Sequence, residues 1–270
     1  MGILEAVKKG FVETSKLMNV VLVFFIFNVV IGLISLPLAN PERAGNPGIV
    51  TVSIISSLLF FLIFIFLQGG ALGLVKDRLK AASASMAQFT EYGKKFYVRI
   101  LALLLLYILI AIGIVLVLSL ISAGVLLLGD NVATRSIVAA IVTIVAVGVI
   151  TLLVYPVYVI VVEDAGALAA LKKGIDTAKS NFLKTLGLFI VMLIVSLLIS
   201  LIVGFIIGLI TVPLPLGISQ VLIAIVNAAV QSYIPIVMMI AFMGFYMALT
   251  AGAAPEAQGP VEGSSEGLGE

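Results

Sequence analysis

Residues 100–121 read ILALLLLYILIAIGIVLVLSLI, with no charged side chain and with large apolar residues on every side of any helix they form. A bilayer's hydrocarbon core takes about 20 such residues to cross as a helix, and uncharged stretches of that length recur along the whole chain. Six spans follow: Leu17–Leu38, Ile49–Val75, Ile100–Leu128, Ile137–Val162, Leu186–Ile210 and Ile218–Thr250. Strands of a membrane barrel would instead alternate in segments of about ten residues. In lipid each backbone amide must bond within its own segment, so the spans are helices. Composition agrees: 63% of residues are hydrophobic and 10% are charged, against roughly a quarter charged in soluble domains. The first apolar run follows a basic segment but exceeds the 7–15 residues of a signal peptide, so we expect it to be retained. The start MGILEA lacks the Ser or Thr that a myristoylation site requires.

Charge position sets the expected orientation. Lys8, Lys9 and Lys16 precede the first span; Lys76, Arg78, Lys80, Lys94, Lys95 and Arg99 separate the second and third; Lys172, Lys173, Lys179 and Lys184 separate the fourth and fifth. Of the 15 basic residues only Arg43 and Arg135 fall on the other side. The positive-inside rule then puts both termini in the cytoplasm, in a multi-pass protein of the cell membrane. The segment 255–270, PEAQGPVEGSSEGLGE, has four glutamates and no basic residue. It cannot bury enough apolar surface to offset its ordering entropy, and disorder is expected.

The polar connections echo one another. In LAALKKGIDTAKSNF, Leu168, Leu171, Ile175, Ala178 and Phe182 recur at the spacing of an amphipathic helix. Shifted by 164, the pattern falls on Leu4, just before EAVKKGFVETSKLM, and on Val7, Phe11, Thr14 and Met18 within it; half that shift lands on Met86, Phe89, Gly93, Phe96 and Ile100. A period near 82 residues makes three helical hairpins, each preceded by an amphipathic cytoplasmic helix. The fold class expected is therefore an all-α polytopic bundle, residues 1–254, in units of about 1–80, 81–163 and 164–254. Lys8, Lys9, Lys94, Lys95, Lys172 and Lys173 become candidate contacts to anionic headgroups, if the helices lie along the interface. Alternatively they are extensions of the spans that pack on one another, with lysines enforcing topology.

The stretch VYVIVVEDAGALAALKKGIDTAKSNFLKTLGLF, residues 157–189, is a span ending in acidic residues, an Ala/Leu/Lys helix, then Asn-Phe before the next span. It resembles uncharacterised prokaryotic six-helix membrane proteins, related to the membrane domain of bacterial glycerophosphodiester phosphodiesterase and to YciC-like inner-membrane proteins. The resemblance implies a six-helix membrane fold and carries over no catalytic residue, because only the acidic tail follows the membrane part.

Intramembrane chemistry has few carriers. Neither cysteine nor histidine occurs, which excludes disulfides, thiolate chemistry and the commonest transition-metal ligands. No ionisable residue lies at hydrocarbon depth in the spans read above, where one would mark a proton relay or ion site. Serines such as Ser56, Ser57, Ser196 and Ser200 have no base to activate them. The neutral polar set is Asn28, Gln68, Asn227, Gln231 and Ser232. Asn227 and Gln231 share one helix face, and Pro235 cannot bond the carbonyl of residue 231, so a kink or break is expected there. The pair would line a polar cavity, bind a headgroup, or hydrogen-bond between helices. Gly69 with Gly73, and Gly204 with Gly208, are GxxxG matches expected to pack within the bundle.

Function is thus read as that of a non-enzymatic scaffold or an interacting protein that meets membrane lipids or a protein partner at the cytoplasmic face. No cofactor, metal or nucleic acid is implied. The alternative is a transporter or flippase-like permease for an apolar or lipidic substrate, with Asn28, Gln68, Asn227 and Gln231 as its polar track.

Overall fold

A computed structural model describes residues 1–38, 46–82, 84–127, 129 and 131–251, with the backbone alone at 36–38. Arg43 and the tail 255–270 lie outside the described residues. Among these the chain is helical, without strands: α1 (Ile3–Thr14), a 3-10 turn (Ser15–Leu17), α2 (Met18–Leu38), α3 (Pro47–Leu79), α4 (Ala87–Leu126), α5 (Val132–Leu153), α6 (Pro156–Val162), α7 (Ala167–Ser180), α8 (Phe182–Thr211) and α9 (Leu216–Ala251). Among the described residues six helical stretches are long and apolar enough to cross a membrane: Ile3–Ser35 (α1 and α2), α3, α4, Val132–Val162 (α5 and α6), α8 and α9. The protein is an all-α, multi-pass integral membrane protein.

Helix ends follow local chemistry. Asn46 caps α3 by accepting from the Gly48 amide at 2.9 Å, and Pro47 occupies a position where a missing N–H loses nothing. Asn131 caps α5 reciprocally with Thr134, at 3.0 and 3.1 Å. Just before it Gly129 takes a φ of +134°, which a side chain would oppose. Lys76 and Arg78 sit in the last turn of α3, where the helix dipole favours cations.

Two prolines act differently. Span four is not one uninterrupted helix, as the apolar run suggested; Pro156 cannot donate to the preceding turn, and α5 ends at Leu153 before α6 restarts at Pro156. Pro235, by contrast, lies inside a continuous α9, which runs unbroken from 216 to 251.

Burial is concentrated at the lysine-bearing end. Phe96, Leu72, Tyr155, Ile160 and Tyr246 are fully buried there, and the second half of α9 is the centre of the bundle, against α1, α2, α3, α6 and α8. Away from that end the helices expose apolar surface, as at Leu120, Ile144 and Phe205. Lipid tails are as apolar as these side chains, so burying them yields little and close packing must hold the bundle.

Glycines supply that packing where helices cross. A methyl group at Gly70 would lie 2.7 Å from the Phe89 carbonyl oxygen, and one at Gly73 2.2 Å from the Tyr92 ring, so α3 and α4 meet nearly backbone to backbone. The same device seats the helices before the first and fifth spans. Ala6, Gly10 and Thr14 turn α1 onto α9, and Ala170, Gly174 and Ala178 turn α7 onto α6. The apolar stripes read from the sequence therefore divide. Val7, Phe89, Gly93, Phe96 and Ile100 are buried, whereas Leu4, Met18 and Leu168 are exposed, because small residues allow closer helix approach than leucines do.

Candidate functional site

At the lysine-bearing end the carboxylates Glu13, Glu163 and Asp164, with Asp77, tie the helices together. Glu163, just beyond α6, accepts hydrogen bonds from Tyr246 Oη of α9 at 2.5 Å and from Lys173 Nζ of α7 at 2.6 Å. Its neighbour Asp164, held at φ +57°, pairs with Lys95 of α4 at 3.0 Å and with Arg99. One acidic dipeptide thus joins α4, α7 and α9. Burial pushes the Glu163 carboxyl up, but the bonds from Lys173 and Tyr246 outweigh it and hold the group below the ordinary carboxylate range. Asp164 is likewise held low, by its bonds from Lys95 and Arg99.

Further bonds continue around the rim. Glu13 of α1 accepts from Arg78 of α3 at 2.7 Å and from Lys16 at 2.9 Å. Asp77 accepts from Tyr92 Oη at 2.5 Å, across the α3–α4 crossing, and Lys76 lies 5.4 Å from the centre of the same ring. The acidic end of the fourth span was legible in the sequence, whereas Glu13 and Asp77 were not singled out, although each lies beside basic residues at the lysine-bearing end of a span.

The six candidate lysines divide accordingly. Lys95 and Lys173 are engaged by Asp164 and Glu163. Lys8, Lys9, Lys94 and Lys172 make no salt bridge among the described residues, and Lys8, Lys94 and Lys172 are exposed. Leu4 and Leu168 stand beside two of these lysine pairs with 76% and 71% of their surface open. That rim is both cationic and apolar.

A match to a family model was found for residues 1–249: Domain of unknown function (DUF7847). The chain belongs to this family. No curated protein matches it, and no solved structure does. The DUF7847 match takes in five spans whole, the sixth to within two residues of its end, and the whole acidic rim.

Within the spans of this DUF7847 chain, the predicted polar track is not assembled. Asn28 Nδ2 of α2 donates to Ser232 Oγ of α9 at 2.9 Å, and Ser232 donates in turn to the Ala228 carbonyl. Gln68 is half-buried against Tyr107 and Ile100 in a separate small cavity of about 170 Å³. Asn227 and Gln231 face outward, exposed, and neither makes a hydrogen bond to a described side chain. Of the five neutral polar residues the structure unites Asn28 with Ser232.

Asn28 also borders a cleft of about 540 Å³ between α2 and α3. Phe27, Phe60 and Phe64 form its apolar wall, and Ser53, Ser56 and Ser57 put hydroxyls along α3. From Ser53 to Phe64 the wall extends about 16 Å at 1.5 Å per residue, close to the thickness of one leaflet's hydrocarbon. A cleft of this form suits an acyl chain better than a polar solute.

Proposed function

We propose that this protein is a non-enzymatic membrane scaffold whose lysine-bearing face lies in the cytoplasm and meets anionic lipid headgroups or a protein partner. The observation that carries the reading is the rim just described. Lys8, Lys9, Lys94 and Lys172 stand without carboxylate partners among the described residues, beside exposed leucines, on helices that small-residue packing fixes to the bundle. A lysine near an anionic leaflet contributes roughly 1 kcal/mol, so four on one face would suffice for a preference. Acids at Glu163 and Asp164 neutralise Lys173 and Lys95, which leaves the other four to act outward.

The test is lipid retention. Purified protein in nanodiscs of mixed anionic and zwitterionic lipid should retain anionic lipid in native mass spectra. A variant with Lys8, Lys9, Lys94 and Lys172 changed to glutamate should lose that preference while keeping its helicity. Equal retention of both lipid classes by the unaltered protein overturns the reading. Because the chain has no cysteine, Lys172→Cys and Arg135→Cys also report orientation directly. An impermeant maleimide reagent should reach residue 135 from outside intact cells and leave residue 172 unlabelled.

The α2–α3 cleft favours a second reading, a flippase-like permease for a lipidic substrate. Filling it with Ser57→Trp would then abolish lipid exchange between leaflets of reconstituted vesicles. If the unaltered protein exchanges no lipid, the cleft is not a transport path.

A further inference from the structure

Two side-chain amides on the N-terminal half of α9 face away from the bundle. Asn227 and Gln231 are exposed, and so is Pro235, whose ring nitrogen cannot donate to the Gln231 carbonyl. Counted from the start of α9 at Leu216, the two amides lie about 17 and 23 Å along the helix, well inside an apolar stretch that a bilayer of about 30 Å must cover. Side-chain amides there meet only lipid tails, which offer neither donor nor acceptor, and such polar groups in a span mark contact with something else.

We propose that what covers this face is a second copy of the chain. A carboxamide is both donor and acceptor. Two copies related by a two-fold axis along the membrane normal therefore satisfy Asn227 and Gln231 with the same two residues of the partner, a self-complementary arrangement that needs no other chemistry. The amide of a partner's side chain also supplies the donor missing at the Gln231 carbonyl. Lipid esters cannot substitute, since they accept without donating and lie at the interface.

The neighbouring helix permits the approach. Ser196, Ser200, Gly204 and Gly208 recur every four residues on α8, and methyl groups placed at Gly204 and Gly208 would meet nothing within 4 Å. These two glycines therefore do not pack within the bundle, unlike Gly69 and Gly73. Counting from the turn between α8 and α9, Ser200 and Ser196 lie near the depths of Asn227 and Gln231. The amides carry the inference, and the small residues let a second backbone come close enough for them to meet.

A chain without cysteine makes the test direct. Ile223→Cys, one turn from Asn227 on the exposed side of α9, should form a disulfide-linked dimer on mild oxidation of vesicles holding only the purified protein. Ile144→Cys, 71% exposed on α5, should stay monomeric at the same lipid dilution. Adding Asn227→Leu and Gln231→Leu to Ile223→Cys should reduce the dimer yield at least fivefold. Asn227→Gln, which keeps an amide, should retain it, and this variant serves if the leucine pair disturbs folding. Three results overturn the proposal: no dimer at residue 223, equal yields at residues 223 and 144, or an unchanged yield with both leucines. Cross-linking of residue 223 to a different protein in native membranes, with none in the purified sample, also overturns it in favour of an unlike partner.

Discussion

Tyr246 donates to Glu163 across 83 residues of sequence, at 2.5 Å, from near the C-terminal end of α9, the most buried of the six spans, to the junction of α6 and α7. The tyrosine is wholly buried and packs against the ring of Tyr155, 5.5 Å away, whose own hydroxyl meets Thr185 at 3.0 Å. The sixth span is thereby attached to the fourth and fifth through side chains rather than by apolar burial, which lipid does little to favour.

Tyr246→Phe removes the hydroxyl and leaves the Glu163 carboxylate with Lys173 alone. A hydrogen bond to a charged group contributes about 1.5–3 kcal/mol, and a loss in that range is expected in detergent unfolding followed by circular dichroism. Glu163→Gln should fall short of this, because the amide still accepts from Tyr246. An unchanged unfolding midpoint for Tyr246→Phe would mean that the bond is not maintained in the folded protein.

The α3–α4 crossing predicts a comparable response. Gly70→Ala places a methyl group 2.7 Å from the Phe89 carbonyl oxygen, which a rotamer change cannot relieve because the obstacle is backbone. Overpacking of this kind costs about 1–3 kcal/mol. Gly113→Ala on α4, where the same methyl meets nothing, should not lower the melting temperature of the detergent-solubilised chain.

Much of this architecture is legible in the apolar runs alone, because a span's length and lack of charge are set by the bilayer rather than by tertiary contacts. What escapes is directional. Leu4 and Leu168 look like the inward stripe of their helices, yet Gly10 and Gly174 face the bundle, since close approach is decided by the partner surface and not by periodicity. Pro156 interrupts an apolar run that Pro235 leaves whole, and nothing local distinguishes the two. Asn28 and Ser232 both stand out as polar residues in spans; their pairing across 204 residues is a property of the fold.

That pairing yields a modest expectation. Interhelical hydrogen bonds in membranes average about 0.6 kcal/mol, so Asn28→Leu and Ser232→Ala should each destabilise slightly. Together they should cost less than the sum of the two, and a double-mutant cycle in detergent reads the difference. Strict additivity would separate the two residues.

Acid should loosen the end that Glu163 and Asp164 hold. Both carboxyls are depressed in the folded protein, Asp164 by Lys95 and Arg99 and Glu163 by Lys173 and Tyr246 against the effect of burial. A depressed carboxyl contributes stability that is fully present above its unfolded pKa, about 4, and that is lost as the pH falls through the lower folded value. The melting temperature should therefore hold steady from pH 7 to about 5 and decline below about pH 4. Asp164→Asn removes one of the two titrating groups: at pH 7 the variant should melt below the unaltered chain, and the gap should narrow as the pH falls toward 3. A gap that stays constant over that range would show that the Lys95 and Arg99 pairs contribute nothing to stability, as exposed ion pairs often do not.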